Sequence, residues 1–125
     1  MTVPAKILII EDDQLLTNAL GIHFLQSNFE VKTAANMKET LSTLKSWLPD
    51  LIILDIILPI YSGFDILKSI KSNPDFKSIP VIIASNLSDE KSIQTGKELG
   101  AIDYIVKNDL SLQDLTSLIQ KVLNV

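Results

Sequence analysis

Three stretches of this chain are apolar at every successive position: Ile7-Leu8-Ile9-Ile10, Leu51-Ile52-Ile53-Leu54 and Val81-Ile82-Ile83-Ala84. A strand with one wet face alternates apolar and polar side chains, whereas a strand covered on both faces does not. Each run is four residues long and dominated by isoleucine, valine and leucine, which suits a strand better than a buried helix. The pattern demands a sheet with both faces covered, the situation of parallel strands joined by helical crossovers.

The rest of the chain supplies those crossovers. Strands are expected over Lys6–Ile10, Glu30–Ala34, Leu51–Leu54, Val81–Ala84 and Ile102–Val106. Gln14–Gln26 has helical period, with Leu16, Ala19, Leu20 and Phe24 on one side. Met37–Leu48 follows Asn36, a suitable N-cap, carries Leu41, Leu44 and Leu48 as its stripe, and stops before Pro49. Phe64–Lys71 offers Ile66, Leu67 and Ile70 and ends at Asn73-Pro74. A fourth helix opens in Leu87-Ser88-Asp89-Glu90 and closes at Leu99-Gly100, the glycine suiting a left-handed cap. Ser111 begins the last helix, with Leu112, Leu115, Leu118, Ile119 and Val122 at helical spacing. Five strand–helix units in succession predict an open, doubly wound α/β fold. At 125 residues the chain is one domain, about half the roughly 250 residues of a closed eight-fold barrel.

Composition removes several functions. There are 11 basic and 15 acidic residues, a net charge of −4, and every basic residue is lysine. Without arginine, bidentate contacts to bases and phosphates are missing, which argues against direct nucleic-acid binding. The absence of cysteine excludes a disulfide scaffold, a thiolate zinc site and a cysteine nucleophile. No apolar run approaches the roughly 20 residues of a membrane-spanning helix, and the initial Met-Thr-Val-Pro-Ala-Lys lacks the apolar core of a signal peptide. The expectation is a soluble cytoplasmic domain.

In an open doubly wound sheet the working site lies beyond the carboxyl ends of the strands. Strand one runs into Glu11-Asp12-Asp13, strand three into Asp55, strand four into Ser85 and strand five into Lys107. Carboxylates gathered there raise one another's pKa, and a hard divalent cation such as Mg²⁺ relieves the conflict. Asp55, held ionised, would keep one oxygen free as a nucleophile. Metal and Lys107 would then stabilise charge on a transferring phosphoryl group, and the Ser85 hydroxyl could donate to it.

Four segments carry a family resemblance across essentially the whole chain: Lys6-Ile-Leu-Ile-Ile-Glu-Asp-Asp13, Asp50-Leu-Ile-Ile-Leu-Asp55-Ile-Ile-Leu-Pro59, Ile79-Pro-Val-Ile-Ile-Ala-Ser85 and Gly100-Ala-Ile-Asp-Tyr-Ile-Val-Lys107. Together they resemble the receiver domain of bacterial response regulators. The resemblance implies a flavodoxin-like (βα)₅ fold with strand order 2-1-3-4-5, and residues 1–125 as one receiver. It implies that Asp55 accepts phosphate from a histidine kinase or phosphotransfer protein. Mg²⁺, or Mn²⁺ in its place, would be held by Glu11, Asp12, Asp55 and the main-chain carbonyl of Ile57. Lys107 would contact the phosphoryl group. Ser85 and Tyr104 would be the switch pair, Tyr104 rotating inward on phosphorylation to alter the helix 4–strand 5–helix 5 face. That face would control an output domain or target protein. The domain would be a phosphoacceptor and not an enzyme; with no arginine for bidentate interface pairs and no cysteine to crosslink, it is expected to be a monomer before phosphorylation. The apolar Ile57 and Leu87 flank the expected path of hydrolytic water, which implies a long-lived phosphoryl group.

Three departures from the family stand out. Asn86 replaces a small residue after Ser85, Asn108 replaces proline after Lys107, and the last helix lacks the arginines of winged-helix regulator receivers. Without proline, the Lys107–Asn108 peptide is expected to be trans, because a non-proline cis bond costs roughly 2.5–4 kcal/mol. Two other functions compete with the acceptor reading: a pseudo-receiver that signals by contact alone, and a metal-dependent phosphotransfer enzyme. Plainer roles compete at single residues. Asp12 or Asp13 could cap the first helix, and Asp13 reads as only a first-turn acid. Tyr104 could be ordinary packing, Lys107 a surface lysine. Asp65, Asp75, Asp89, Asp103, Asp109 and Asp114 read as caps or solvated residues. His23 reads as a surface residue, and Trp47 as a packing residue remote from the site.

Overall fold

The structure is a computed structural model that describes residues 3–125; Met1 and Thr2, which begin the N-terminal stretch and the 1–125 domain read above, lie outside it. The chain alternates β1 (Lys6–Ile10), α1 (Gln14–Gln26), β2 (Glu30–Ala34), α2 (Met37–Ser46), β3 (Leu51–Leu54), α3 (Gly63–Ser72), β4 (Val81–Ser85), α4 (Glu90–Glu98), β5 (Asp103–Val106) and α5 (Leu112–Leu123). All strand pairs are parallel, in the order β2-β1-β3-β4-β5.

The unbroken apolar runs serve two cores at once. Leu8, Ile10, Ile52, Leu54, Val81 and Ile83 point to the side covered by α2, α3 and α4. Their neighbours Ile7, Ile9, Leu51, Ile53, Ile82 and Ala84 point to the side covered by α1 and α5. Alternate side chains of a strand face opposite ways, so a strand inside two cores needs an apolar residue at every step. Phe24 of α1 is fully buried and meets Phe29 edge-to-face at 5.9 Å. Its burial contributes about 2–3 kcal/mol.

Helix ends follow local chemistry. Asn36, Ser62, Asp89 and Ser111 cap α2, α3, α4 and α5, each accepting from a backbone N–H three residues on. Asp65 closes a capping box with Ser62. Gly100, at φ +109°, follows α4 in the left-handed region, as a glycine cap should.

Some expected details differ. In α1, Thr17 is buried and Ala19 exposed, reversing the expected stripe. The Thr17 hydroxyl can face inward because it donates to the Gln14 carbonyl at 3.1 Å. Helix α2 stops at Ser46, and Trp47 turns extended and buries its ring. The inner residues are therefore Thr40, Leu44 and Trp47, while Leu41 and Leu48 stay exposed. The bulky indole covers the end of the core that Leu48 was expected to fill. β4 extends one residue, to Ser85, and β5 begins one later, at Asp103. His23 is half-buried, its Nε2 2.7 Å from the Thr116 hydroxyl, so it joins α1 to α5 and is not a free surface residue. Thr116 donates its proton to the Leu112 carbonyl, which leaves the imidazole N–H as the donor in that contact.

Candidate functional site

Parallel register brings the ends of β1 and β3 level. Ile10 pairs with Leu54, and the Asp55 N–H donates to the Ile10 carbonyl at 3.0 Å. Glu11 and Asp55 therefore follow two adjacent central strands side by side. Both are buried, at 5% and 6% exposure, whereas Asp12 is exposed. One carboxylate oxygen from each of the three lies within 4.8 Å of the others. Asp13 does not join them. It caps α1, accepting from Leu15 and Leu16 N–H at 3.0 and 3.3 Å, so it is a true N-cap and more than a first-turn acid.

Each buried acid is held by named donors. Asp55 Oδ1 accepts from the N–H groups of Ile56 and Ile57, at 2.7 and 3.3 Å. Its Oδ2 accepts from Lys107 Nζ at 2.8 Å. Lys107 Nζ also pairs with Glu11 Oε1, and Glu11 Oε2 accepts from Asp13 N–H at 3.2 Å. Burial drives the Glu11 carboxyl above its ordinary value; the Lys107 hydrogen bond opposes the rise and the Asp55 charge adds to it. Burial alone would lower the Lys107 ammonium, but its hydrogen bonds to Asp55 and Glu11 prevail and raise it. Beneath this cluster, between α1, α5 and the sheet, lies a mainly apolar cavity of about 80 Å³, bounded by Leu16, Leu20, Ala84 and Leu115 among others.

Lys107 reaches the acids from the first residue of a 3₁₀ turn, Lys107–Asp109. The Lys107–Asn108 peptide is trans, and the described residues contain no cis bond. Ile57 directs its N–H at Asp55 while its side chain is 59% exposed on the rim. Ser85 is fully buried at the end of β4, and its Oγ accepts from Leu87 N–H at 3.3 Å. Tyr104 is also buried, and its hydroxyl donates to the Leu87 carbonyl. The inward rotation expected of Tyr104 thus finds the ring already inside. Burial raises its phenol pKa.

Sequence reasoning missed Gly63. A Cβ there would overlap the Asp55 carbonyl oxygen and lie 2.7 Å from Ile56 Cα. Any side chain would push α3 off the segment that carries Asp55. The available signal was a lone glycine between strand three and the third helix. The backbone of Leu87, which bonds to both Ser85 and Tyr104, carried no sequence signal.

The architecture is that of a doubly wound sheet with an acidic, lysine-bridged site at its carboxyl edge, and the chain belongs to the response regulator receiver domain family, whose model matches residues 7–120. It is 35% identical over 102 residues to the transcriptional regulatory protein AfsQ1 of Streptomyces coelicolor, a match covering 82% of this chain and 44% of that protein. The chain spans about half or less of the length of the curated relatives it matches. Among solved structures, a two-component response regulator from Clostridium difficile superposes with a TM-score of 0.90 at 27% identity, covering 96% of each chain. The Mn²⁺-bound form of the response regulator Rcp1 superposes with a TM-score of 0.80 at 28% identity, covering 95% of this chain and 91% of that one. No helix among the described residues is long and apolar enough to cross a membrane.

Proposed function

We propose that residues 1–125 form one phosphoacceptor receiver, with Asp55 as the nucleophile. The observation that carries this is the Lys107 ammonium lying between two buried carboxylates, with Asp12 beside them. An Asp55 oxygen attacks the phosphorus of a phosphohistidine on a histidine kinase or phosphotransfer protein. The P–N bond breaks, the P–O bond to Asp55 forms, and the imidazole leaves with a proton. Lys107 places positive charge beside the incoming phosphoryl oxygens, and the Ser85 hydroxyl, whose Oγ already accepts from Leu87 N–H, can donate its own proton to one.

The donor set fits a hard divalent cation: three carboxylate oxygens within 4.8 Å, and neither sulfur nor imidazole. Glu11, Asp12 and Asp55 would hold Mg²⁺ or Mn²⁺, with the Ile57 carbonyl as a further ligand. The cation supplies charge neutralisation for the transferring oxygens. Rcp1, similar in fold, binds Mn²⁺, which supports this reading. Apolar Ile57 and Leu87 at the rim give an attacking water no base, so the acyl phosphate persists. The protein transfers the group to itself and is not a turnover enzyme. Working with a kinase in the cytoplasm, as a monomer before phosphorylation, it passes the signal through α4, β5 and α5 to an output domain or separate target. A pseudo-receiver gains no support, since Glu11, Asp12, Asp55, Ser85 and Lys107 are all present.

The test is mass spectrometry after treatment with a small phosphodonor and Mg²⁺. One phosphoryl adduct, absent with chelator and absent from Asp55→Asn, is expected. An adduct of equal extent on Asp55→Asn would remove Asp55 as acceptor. Steady release of phosphate without an adduct would mean an enzyme.

A further inference from the structure

Tyr104 occupies a slot that one residue makes possible. Gly96 lies inside α4, where glycine is a poor helix former and calls for a packing reason. A Cβ at that position would lie 2.6 Å from Ile83 Cδ1 and 3.1 and 3.4 Å from Cδ2 and Cε2 of the Tyr104 ring. The ring therefore packs close on the helix backbone, and a Cβ there would crowd both the ring edge and the Ile83 methyl, each of which would have to shift. At the far end of the ring, the hydroxyl donates to the Leu87 carbonyl, while Leu87 N–H donates to Ser85. One residue of the β4–α4 loop is thus bound by both switch side chains, and no phosphoryl group is needed to complete the arrangement.

We propose that Gly96 is the positioning residue that seats Tyr104 inside the α4–β5 face before phosphorylation, so that this face rests in its inward arrangement. Phosphorylation then acts at the Ser85 end, drawing on the Leu87 peptide, and does not need to flip the ring. This deepens the reading of Ser85 and Tyr104 as a switch pair. The seating of the ring itself rests on contacts with Gly96 and Leu87 that involve no phosphoryl group.

The chain has two tyrosines, and the second, Tyr61, is 52% exposed and serves as an internal reference. Fluorine NMR of the 3-fluorotyrosine-labelled protein, with and without D₂O, reads the solvent exposure of both. In the phosphate-free parent, the Tyr104 resonance should show a small fraction of the solvent shift of Tyr61. In Gly96→Ala the Tyr104 shift should rise toward that of Tyr61, with Tyr61 unchanged as a readout of intact folding. Adding Mg²⁺ and beryllofluoride, a phosphoryl analogue, should leave Tyr104 unmoved in the parent and return it inward in the variant. A solvent-exposed Tyr104 in the phosphate-free parent overturns the proposal, and needs no variant to do so. A folded Gly96→Ala with Tyr104 still protected removes Gly96 from the role. Failure of the analogue to return Tyr104 inward in a variant that has exposed it would count against Asp55 as acceptor, and the first two measurements would still decide the position of Tyr104.

Discussion

At the carboxyl ends of the strands, Lys107 lies between Glu11 and Asp55. At the amino ends, Lys6 and Lys32 lie over the Trp47 ring, 5.8 and 5.4 Å from its centroid, with Glu30 2.8 Å from the Ala5 carbonyl through its N–H and 3.4 Å from the indole N–H through its carboxylate. Asp50 accepts from the Lys6 backbone N–H at 2.8 Å. The residue types are the same: acids and lysine stand at both ends. At the amino ends Glu30, Lys32 and Asp50 remain exposed, and each charge is satisfied separately by water, a ring or the backbone. At the carboxyl ends two buried carboxylates share one cation. Low local dielectric makes that arrangement consequential, because neither buried carboxylate can lose its partner and turn to water instead. A site comes from convergence under burial, and acidic and basic residues alone do not supply it.

The sharpest way to break this comparison is to remove the shared cation. Lys107→Met leaves Glu11 and Asp55 facing each other without it, and should cost about 2–3 kcal/mol at neutral pH in chelator, since an unpaired buried charge carries most of the penalty. Urea unfolding measures it. A loss below about 0.5 kcal/mol would make the carboxyl end as inconsequential as an ordinary surface pair.

The pH dependence sharpens the same contrast. The folded Glu11 pKa lies above its ordinary value of 4.5 because of burial, so the folded protein keeps a proton that the unfolded chain has released. Stability therefore falls as pH rises from about 4.5 through the folded pKa. Lys107 acts in the same direction in an alkaline window: its folded pKa is raised by the two carboxylates, so its contribution is complete below 10.5 and is lost as pH rises through the folded value. In metal-free urea titrations, Glu11→Gln should flatten the acidic slope. An unchanged slope would place its origin elsewhere.

Backbone strain is a further difference. Asn28 and Asn124 adopt positive φ, as asparagine readily does, but Ile60 does so at φ +67° on the rim beside the site. The Tyr61 N–H donates to the Pro59 carbonyl at 2.8 Å, which makes a γ-turn of the strained hand centred on Ile60. The Ile60 side chain is 92% exposed, so no burial offsets the cost. Ile60→Gly, which has no Cβ to clash at positive φ, should stabilise the domain by about 1 kcal/mol in thermal unfolding. Destabilisation would mean that the isoleucine makes a contact worth more than its strain. The smallest effect belongs to the amino end: Lys32→Ala should change stability by no more than about 0.5 kcal/mol, the scale of an exposed cation–π contact. A larger loss would show that the Trp47 cluster behaves like the buried one.

Much of the architecture was legible because it rests on period. Runs apolar at every step, short and rich in isoleucine, pointed to strands between two layers, and their alternation with helical segments implied parallel crossovers. The acids and lysine were legible because they interrupt or end those runs: Asp55 follows Leu51-Ile52-Ile53-Leu54 directly. Helix faces were read less well. Thr17 takes an inward place that hydropathy assigns to Ala19, because a hydroxyl bonded to its own helix loses its aversion to the core. Trp47 displaces Leu48 because the chain leaves the helix one residue before it, and a turn of the backbone redirects every side chain that follows.

Local pattern, then, determined on its own the succession of strands and helices along the chain, the two-sided burial of the sheet and the charged residues that end its strands. These depend on which residues are near in sequence. The distances among Glu11, Asp12, Asp55 and Lys107, the burial that shifts Glu11 and Lys107, the close approach that requires Gly63, and the inward seat of Tyr104 against Gly96 were decided only in the folded protein. Each joins elements far apart in the chain, and its energy depends on the separation and solvent exposure of the partners, quantities that exist only once the helices close over the sheet.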